Sequence, residues 1–114
     1  MSADCLFCRM ASGAIPVAKV HEDDLVFAIR DINPQAPTHI LVMPVAHVAS
    51  AADITADDAA LLGRLFSVAA DLARVEGLGN GWRLVSNVGP DGGQSVPHLH
   101  VHLLGGREMG WPPG

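Results

Sequence analysis

The sequence is poor in aromatic residues and in positive charge. Its 114 residues include three Phe, two Trp and no Tyr, and 7 Lys and Arg stand against 12 Asp and Glu, for a formal charge of -5. A nucleic-acid surface needs clustered Lys and Arg, so this composition argues against a DNA- or RNA-binding protein. Any anion should instead be bound locally, by backbone N–H groups and imidazoles.

Long apolar runs are missing as well. The most apolar stretch, ILVMPVAHV, is interrupted by Pro44 and His47 and is too short to span a bilayer. The first ten residues, MSADCLFCRM, lack the basic start and apolar run of a signal peptide. We therefore expect a cytoplasmic protein without membrane association. The length and the 49% hydrophobic content predict one domain over residues 1–114 with a core of its own.

The pattern of elements predicts an α+β fold, with an antiparallel sheet of about five strands, one long helix and a short N-terminal helix. Strands are expected at VAKVHE, LVFAIRDI, THILVMP, WRLVSNV and the histidine-rich stretch that follows. The short helix is expected in CLFCRMASG. The long helix should begin after Thr55, capped together with Asp58, and end at Gly77 or Gly79. An apolar stripe, expected to face the core, consists of Leu61, Leu62, Leu65, Phe66, Ala69, Leu72 and Ala73.

The stretch PHLHVHLLGG, residues 97–106, places three of the six histidines at alternate positions. In an extended strand His98, His100 and His102 would share one face, while apolar residues fill the other. Aligned imidazoles can hold a metal, or they can perform nucleophilic and acid–base chemistry in which one ring attacks and its neighbours orient or protonate. The preceding loop GPDGGQS is rich in glycine, and successive N–H groups in such a loop can bind an anion. The loop therefore favours a phosphate-containing ligand.

The two cysteines, Cys5 and Cys8, form a single Cys-x-x-Cys pair. This spacing suggests metal or redox chemistry more than a structural disulfide. A thioredoxin-type motif would follow a strand in a βαβ pattern, and no strand is expected before this pair. Zinc would need two further ligands, and the alternative is a pair of free thiols on a short helix.

The run from His98 to Leu104, HLHVHLL, resembles the histidine-triad signature His-φ-His-φ-His-φ-φ, in which φ is apolar. The segments DINPQAPTHILVMP and GGQSVPHLHVHLLGGR and the ending WPPG are similar to the Hint branch of the histidine-triad (HIT) superfamily, the purine nucleoside phosphoramidases. The resemblance covers nearly the whole chain. It implies a homodimer that hydrolyses nucleoside phosphoramidates and related adenylated amines or aminoacyl-adenylates. AMP or GMP would be released through a covalent nucleotidyl-histidine intermediate.

The resemblance also implies roles for individual residues. His100 would be the nucleophile, with His39 orienting its imidazole, while His102 and Ser95 would hold the phosphate and the leaving group. The implied nucleotide contacts are Asp31, Ile32, Asn87, Gly93, Gln94, Ser95, His100 and His102. The implied base pocket consists of Phe7, Ile15, Ile29 and Leu41. Ile29 departs from the eukaryotic Hint pattern, which has Phe at this position.

This chain also resembles bacterial members of the family that have the cysteine pair. Those proteins bind zinc between the pair and two histidines. The resemblance therefore implies a structural zinc held by Cys5, Cys8, His47 and His98, and no catalytic cofactor. Two other functions stay open at this point: a zinc-dependent hydrolase that uses the triad as metal ligands, and a non-catalytic purine-nucleotide-binding protein. The tail REMGWPPG cannot be helical, and we expect it to reach the active site of the partner protomer.

Overall fold

The computed structural model describes residues 4–114 and contains the predicted α+β architecture. The strands are β1 (Lys19–Glu22), β2 (Val26–Arg30), β3 (Thr38–Pro44), β4 (Trp82–Ser86) and β5 (Val101–Gly105), and the helices are α1 (Leu6–Ala11) and α2 (Ala59–Val75). The strands form one antiparallel sheet in the order β1-β2-β3-β5-β4. This arrangement confirms the predicted fold class and leaves β4 at an edge.

The long helix α2 begins one turn later than expected, at Ala59, and ends at Val75, two residues before Gly77. Thr55 and Asp58 form a reciprocal capping box around a short 3-10 turn that precedes the helix. After the helix, Gly77 adopts a left-handed conformation with φ of 73°, which a residue with a Cβ rarely does. Within residues 4–114, no helix, α2 included, is both long and apolar enough to cross a bilayer.

Helix α2 covers one face of the sheet. Leu65 and Val68 pack against Ile40 of β3 and Leu103 of β5 in the larger of the two core clusters. The expectation for Phe66 is wrong, because its side chain is 58% exposed. Phe66 follows Leu65 by one position, about 100° around the helix, whereas Val68 follows by three and returns to the buried face.

The first helix, α1, covers the opposite face of the sheet. Cys5 caps this helix by accepting the N–H of Cys8 at its sulfur. A second apolar cluster lies beneath α1 and contains Cys5, Phe7, Phe27, Ile29, Leu41 and Met43. The odd-numbered side chains of β2 and β3 therefore face α1, and the even-numbered ones face α2.

The histidine run is only partly a strand, which corrects the sequence-based expectation. Strand β5 begins at Val101, so His102 lies in it while the two earlier histidines precede it. Pro97 has no N–H to give to a ladder, and the N–H of Leu99 bonds to the carbonyl of Val48, 2.6 Å away, outside the β3 pairing. Residues 98–100 therefore do not pair with β3 as a strand. They lie beside the segment that comes after β3 in the sequence.

Candidate active site and metal cluster

Strand pairing arranges the candidate residues in rows on the face that α1 covers. Side chains of directly paired residues point to the same side of a sheet. One row across β2, β3, β5 and β4 consists of Ile29, Leu41, His102 and Val85. The adjacent row consists of His39, Leu104 and Arg83. Ile29 and Leu41, two of the base-pocket candidates, therefore lie on one side of His102, and β4 lies on the other.

His100 is held in place by the backbone of the triad itself. Its Nδ1 lies 2.7 Å from the carbonyl oxygen of His98, and a carbonyl can only accept, so Nδ1 carries the proton. The neutral ring then keeps its lone pair at Nε2. The imidazole is 5% exposed and packs edge-on against Phe7, with the ring centroids 5.2 Å apart. The ring of His100 is thus fixed, with its Nε2 free of that hydrogen bond.

A chain of hydrogen bonds fixes the opposite tautomer at His102. The backbone N–H of Gln35 donates to Nδ1 of His39 at 3.0 Å, so the proton of a neutral His39 lies on Nε2. That Nε2 lies 2.8 Å from Nδ1 of His102 and 3.4 Å from a carboxylate oxygen of Asp31. His102 Nδ1 accepts, and its own proton lies on Nε2, where it is available as a donor.

The surroundings keep the rings of His102 and His39 neutral near pH 7. Burial lowers the pKa of His102 to about 4, with further lowering by His100 and His39 and an opposing effect of Asp31. Burial also lowers the pKa of His39, again against the attraction of Asp31. The tautomers that the hydrogen bonds assign are therefore those of neutral imidazoles.

His39 occupies a different position from the one implied by the resemblance. It was expected to orient His100, but its ring contacts that of His102, with centroids 5.1 Å apart. The cause is the strand register, because His39 pairs with Leu104, two residues from His102, whereas His100 lies before the start of β5. The backbone of His98 performs the orienting role instead.

The glycine-rich loop is braced from within. The side chain of Gln94 accepts the N–H of Gly89 and donates to two backbone carbonyls. The N–H groups of Gly93 and Gln94 bond to the carbonyls of Pro90 and Gly89, so they do not form the expected nest toward a ligand. Ser95 is exposed, and its hydroxyl has no hydrogen-bond partner among residues 4–114. The hydroxyl of Ser95 is therefore available to a ligand.

Asn87 connects the end of β4 to this loop. Its Nδ2 donates to the carbonyl of Gly92 at 2.6 Å, which leaves Oδ1 for a ligand. Gly92 itself lies against the backbone of Val88, where an added Cβ would meet the Val88 oxygen at 2.2 Å. Glycine is therefore required here by close approach, and the loop conformation depends on it.

The remaining nucleotide-contact candidates follow β2. Asp31 accepts the N–H of Asn33 with one carboxylate oxygen and faces His39 with the other. Ile32, beside it, is fully exposed. These two residues are placed where a ligand could cover them, at the end of the sheet that also carries His39.

Three of the four base-pocket candidates come together. Phe7, Ile29 and Leu41 are buried in the cluster under α1. Ile15 is half-buried outside that cluster, in the segment that follows α1, where its N–H bonds to the carbonyl of Arg9. The structure therefore groups Phe7, Ile29 and Leu41 and leaves Ile15 at their margin.

The metal candidates form a second group next to the triad. The ligand atoms of Cys5, Cys8, His47 and His98 all lie within 4.8 Å of one another. Nδ1 of His98 lies 3.3 Å from the sulfur of Cys5 and 3.5 Å from that of Cys8, and Nδ1 of His47 lies 3.2 Å from Cys8. Residues distant in sequence thus converge on one point.

This group fits zinc in donor chemistry and in spacing. Two thiols and two imidazoles are a common structural zinc set, and standard bond lengths put a sulfur and a nitrogen ligand about 3.6 Å apart. Nε2 of His98 lies 2.9 Å from the carbonyl of Pro44, so it carries the proton and leaves Nδ1 free to bind a metal. His98 is fully buried and Cys5 is 5% exposed, whereas Cys8 is half-buried and His47 lies at the surface.

The HIT domain family model matches residues 12–109 of the chain. The chain belongs to the HIT family. An uncharacterized HIT-like protein of Synechococcus elongatus is 51% identical over 114 residues, and the match covers 100% of both chains. A 14 kDa zinc-binding protein of Zea mays is 50% identical over 111 residues, 96% of this chain and 87% of the relative. The crystal structure of a HIT family hydrolase from Legionella pneumophila superimposes with a TM-score of 0.95 at 53% identity, over 97% of this HIT protein and 100% of that chain.

Two contacts in the site of this HIT protein come from backbone groups that the sequence analysis did not anticipate. The N–H of Gln35 sets the tautomer of His39, and the carbonyl of Pro44 sets that of His98. Neither has a side-chain signature that a sequence pattern could reveal.

Proposed function

We propose that the protein hydrolyses nucleoside phosphoramidates and related adenylated amines or aminoacyl-adenylates, and that it releases AMP or GMP. Family membership supports a nucleotide substrate, and the structural neighbour from Legionella pneumophila is a HIT family hydrolase. The observation that carries the proposal is a pair of complementary tautomers. His100 has its lone pair at Nε2 and His102 has its proton at Nε2, with ring centroids 5.1 Å apart. One ring attacks phosphorus while the other donates to a phosphoryl oxygen.

In the first step, Nε2 of His100 bonds to the α-phosphorus as the bond from phosphorus to the amine breaks. The amine leaves with one proton, delivered from solvent through the free hydroxyl of Ser95. The nucleotidyl-imidazole carries positive charge, which the hydrogen bond from Nδ1 to the carbonyl of His98 stabilises. Water then attacks phosphorus, the bond to Nε2 breaks, and AMP or GMP leaves with the free imidazole restored.

The nucleotide is held by groups on either side of the two reactive rings. The carboxylate of Asp31 accepts hydrogen bonds from the ribose hydroxyls, and exposed Ile32 is covered by the bound nucleoside. Oδ1 of Asn87 contacts the sugar or phosphate, and Gly93 and Gln94 hold Ser95 in position. The base lies against Phe7, Ile29 and Leu41, with Ile15 at their margin.

The cysteine–histidine group holds one structural zinc in this proposal. Cys5, Cys8, His47 and His98 supply four ligands, so no coordination position is left for a reacting water. The metal's contribution is to cross-link the N-terminal segment to the start of the triad. The zinc-binding relative from Zea mays supports this assignment by its name and by its 50% identity.

A catalytic metal on the triad side is not favoured by the spacing found there. Ligand atoms of Asp31, His39 and His102 do lie within 4.8 Å of one another. The two imidazole nitrogens are 2.8 Å apart, however, a hydrogen-bond distance. Two nitrogen ligands of a tetrahedral zinc would be about 3.3 Å apart. We therefore assign this group to hydrogen bonding.

The exposed apolar surface near β4 supports the proposed homodimer. Strand β4 is an edge with unpaired backbone groups on its outer side, and a cavity of about 220 Å³ lies beside it, lined by Leu62, Phe66 and Leu84 among others. Phe66 is 58% exposed and Trp82 is 40% exposed. A second copy that covers this surface would remove both the edge and the apolar groove from water.

The covalent role of His100 is tested by replacing it with alanine. Turnover of adenosine phosphoramidate should fall by about a thousandfold or more, because no other group in the site has a free lone pair fixed beside His102. His21→Ala, which removes a histidine that is hydrogen-bonded to Asp23 away from the site, is the matched control and should keep wild-type turnover. AMP affinity should change little in either variant.

Rapid quenching of the wild type should trap an AMP adduct on His100. More than a few per cent of wild-type activity in the alanine variant would contradict the assignment. Tight AMP binding by a wild type that hydrolyses no phosphoramidate would instead favour the non-catalytic nucleotide-binding alternative. Loss of wild-type turnover on chelation, in protein that stays folded, would favour the metal-dependent one.

A further inference from the structure

The segment after β5 lies against the loop that precedes β3. The last residue pair of these two strands is Thr38 and Gly105. Beyond this pair, Gly106 has a φ of 90° and lies so close to Pro37 that an added Cβ would be 2.9 Å from the Pro37 Cβ. Both the left-handed conformation and the close approach require glycine at this position. The contact between the two chain segments therefore continues past the ends of the strands.

Arg107 extends this contact to the residue that sets the tautomer of His39. Its Nε donates to the carbonyl oxygen of Gln35 over 3.0 Å, and its Nη1 donates to the carbonyl oxygen of Glu108 over 3.2 Å. The backbone N–H of the same Gln35 donates to Nδ1 of His39. The N–H and the carbonyl of one residue are joined through its Cα, so holding one of them limits the rotation of the other.

The neutral pair of His39 and His102 has two hydrogen-bonded arrangements. Nε2–H of His39 can donate to Nδ1 of His102, or Nδ1–H of His102 can donate to Nε2 of His39. The first arrangement leaves a proton on Nε2 of His102, which the proposed reaction uses as a donor, and the second removes it. In the second, the proton of His39 would lie on Nδ1 and meet the N–H of Gln35. The N–H of Gln35 therefore selects the first arrangement.

The direction of the Gln35 main chain is the main restraint on this selection. A carboxylate oxygen of Asp31 also favours a proton on Nε2 of His39, but it lies 3.4 Å away, against 3.0 Å for the Gln35 contact. Beyond about 3.2 Å a hydrogen bond is long and weak. Gln35 is exposed, and its side chain bonds to the carbonyl of Asn33 inside the same loop. Arg107 supplies the contact that fixes the Gln35 main chain from the β5 side.

We infer that Arg107 is a positioning residue for His102, which it reaches through the main chain of Gln35 and the ring of His39. The inference rests on the proposed function, since that reaction uses the proton on Nε2 of His102. Arginine suits the task because its planar guanidinium stays charged and donates to two carbonyls at once. Without Arg107, the N–H of Gln35 turns away from His39 for part of the time, and the second arrangement becomes populated.

The kinetic test compares Arg107→Leu with Arg74→Leu, which removes an exposed arginine of α2. Arg107 is exposed as well, so neither substitution removes a core residue. Arg107→Leu should lower kcat for adenosine phosphoramidate by about three- to tenfold, the range of one hydrogen bond, with little change in KM. Arg74→Leu should change neither constant. A loop that merely lost the contact of Asp31 with the ribose would raise KM instead.

A double variant tests whether the effect passes through His39. In a His39→Ala background, adding Arg107→Leu should lower kcat no further, because the ring that transmits the effect is already gone. A further fall in kcat in the double variant would show that Arg107 acts by another route and would overturn the inference.

Nitrogen-15 NMR of the imidazoles follows the tautomers without substrate. The protonated and unprotonated nitrogens of a neutral ring have distinct chemical shifts, so the spectrum reports which one carries the proton. In the wild type, Nδ1 of His39 and Nδ1 of His102 should both be unprotonated. In Arg107→Leu both shifts should move toward the protonated value, and in Arg74→Leu neither should move. Spectra of His39→Ala and His102→Asn identify the signals by their absence.

Two results would overturn the role of Arg107 alone: unchanged nitrogen shifts in Arg107→Leu, or a raised KM with an unchanged kcat. Absence of wild-type turnover would instead reject the proposed function, and with it the use of the proton on His102. The nitrogen shifts would still show in that case whether Arg107 controls the tautomers, so the two failures are distinguishable.

Discussion

The buried position of His102 should make the protein lose stability in mild acid. The pKa of this imidazole is about 4 in the folded protein, against a reference value of 6.5. Between these values the unfolded chain binds the proton more readily, so stability rises with pH. The contribution is complete above pH 6.5 and disappears as the pH falls toward 4. At about 1.4 kcal/mol per pKa unit, the change amounts to about 3 kcal/mol.

Urea unfolding of the wild type and of His102→Asn from pH 4 to 7.5 measures this contribution. Asparagine keeps an acceptor near the position of Nδ1, so the hydrogen bond from His39 can persist while the titration is removed. The free energy of unfolding of the wild type should fall by about 3 kcal/mol relative to the variant between pH 6.5 and 4. Taking the difference removes the contributions of those acid-sensitive groups that titrate alike in both proteins.

Parallel curves for the two proteins over this range would refute the reasoning. A wild type that gains stability relative to the variant in acid would refute it as well, since that sign requires a raised pKa. Metal analysis at each pH is the necessary control, because unequal zinc content would add a difference unrelated to His102.

Two further predictions concern the metal and the assembly. Cys8→Ser should lose zinc and lower the melting temperature, while turnover per folded molecule changes little. Less than about 0.2 zinc per wild-type chain would instead favour free thiols. If the proposed homodimer forms through the surface beside β4, Phe66→Asp should yield a monomer in a sedimentation experiment. Because the tail is expected to reach the partner's active site, this variant should also alter the preference among leaving amines. A wild type that is monomeric at micromolar concentration would contradict both statements about assembly.

Local signals in the sequence predict much of the fold because the forces behind them are local. The capping box at Thr55 and Asp58 and the left-handed Gly77 each depend on a few neighbouring residues, and the structure has them at those positions. The β-rich apolar run THILVMP likewise predicts β3. Phe66 shows the limit of this reasoning. The apolar residues of a helix can be read from the sequence, but how much of the helix surface the sheet will bury cannot.

The candidate site was less predictable, since its decisive contacts are made by backbone groups. The spacing of the triad predicts that its imidazoles lie together, yet the tautomer of His100 depends on the carbonyl of His98 and that of His39 on the N–H of Gln35. Every residue has these backbone groups, so no residue type marks them. Gln35 and His98 lie in the segments just before β3 and β5, and the conformation of such segments is not specified by a pattern of apolar residues.

His98 belongs both to the cysteine–histidine group and to the reactive histidines, and it contributes different atoms to each. Its side chain belongs to the cysteine–histidine group, while its carbonyl accepts the hydrogen bond that leaves Nε2 of His100 unprotonated. Phe7 contacts both rings, with centroids 5.8 Å from His98 and 5.2 Å from His100. Loss of zinc through Cys8 leaves the carbonyl of His98 in place, held by its peptide and by the bond from Nε2 to Pro44. This is the physical reason to expect stability to fall in that variant while turnover persists. A substitution of His98 itself changes both groups, so its effect on turnover cannot be assigned to the metal alone.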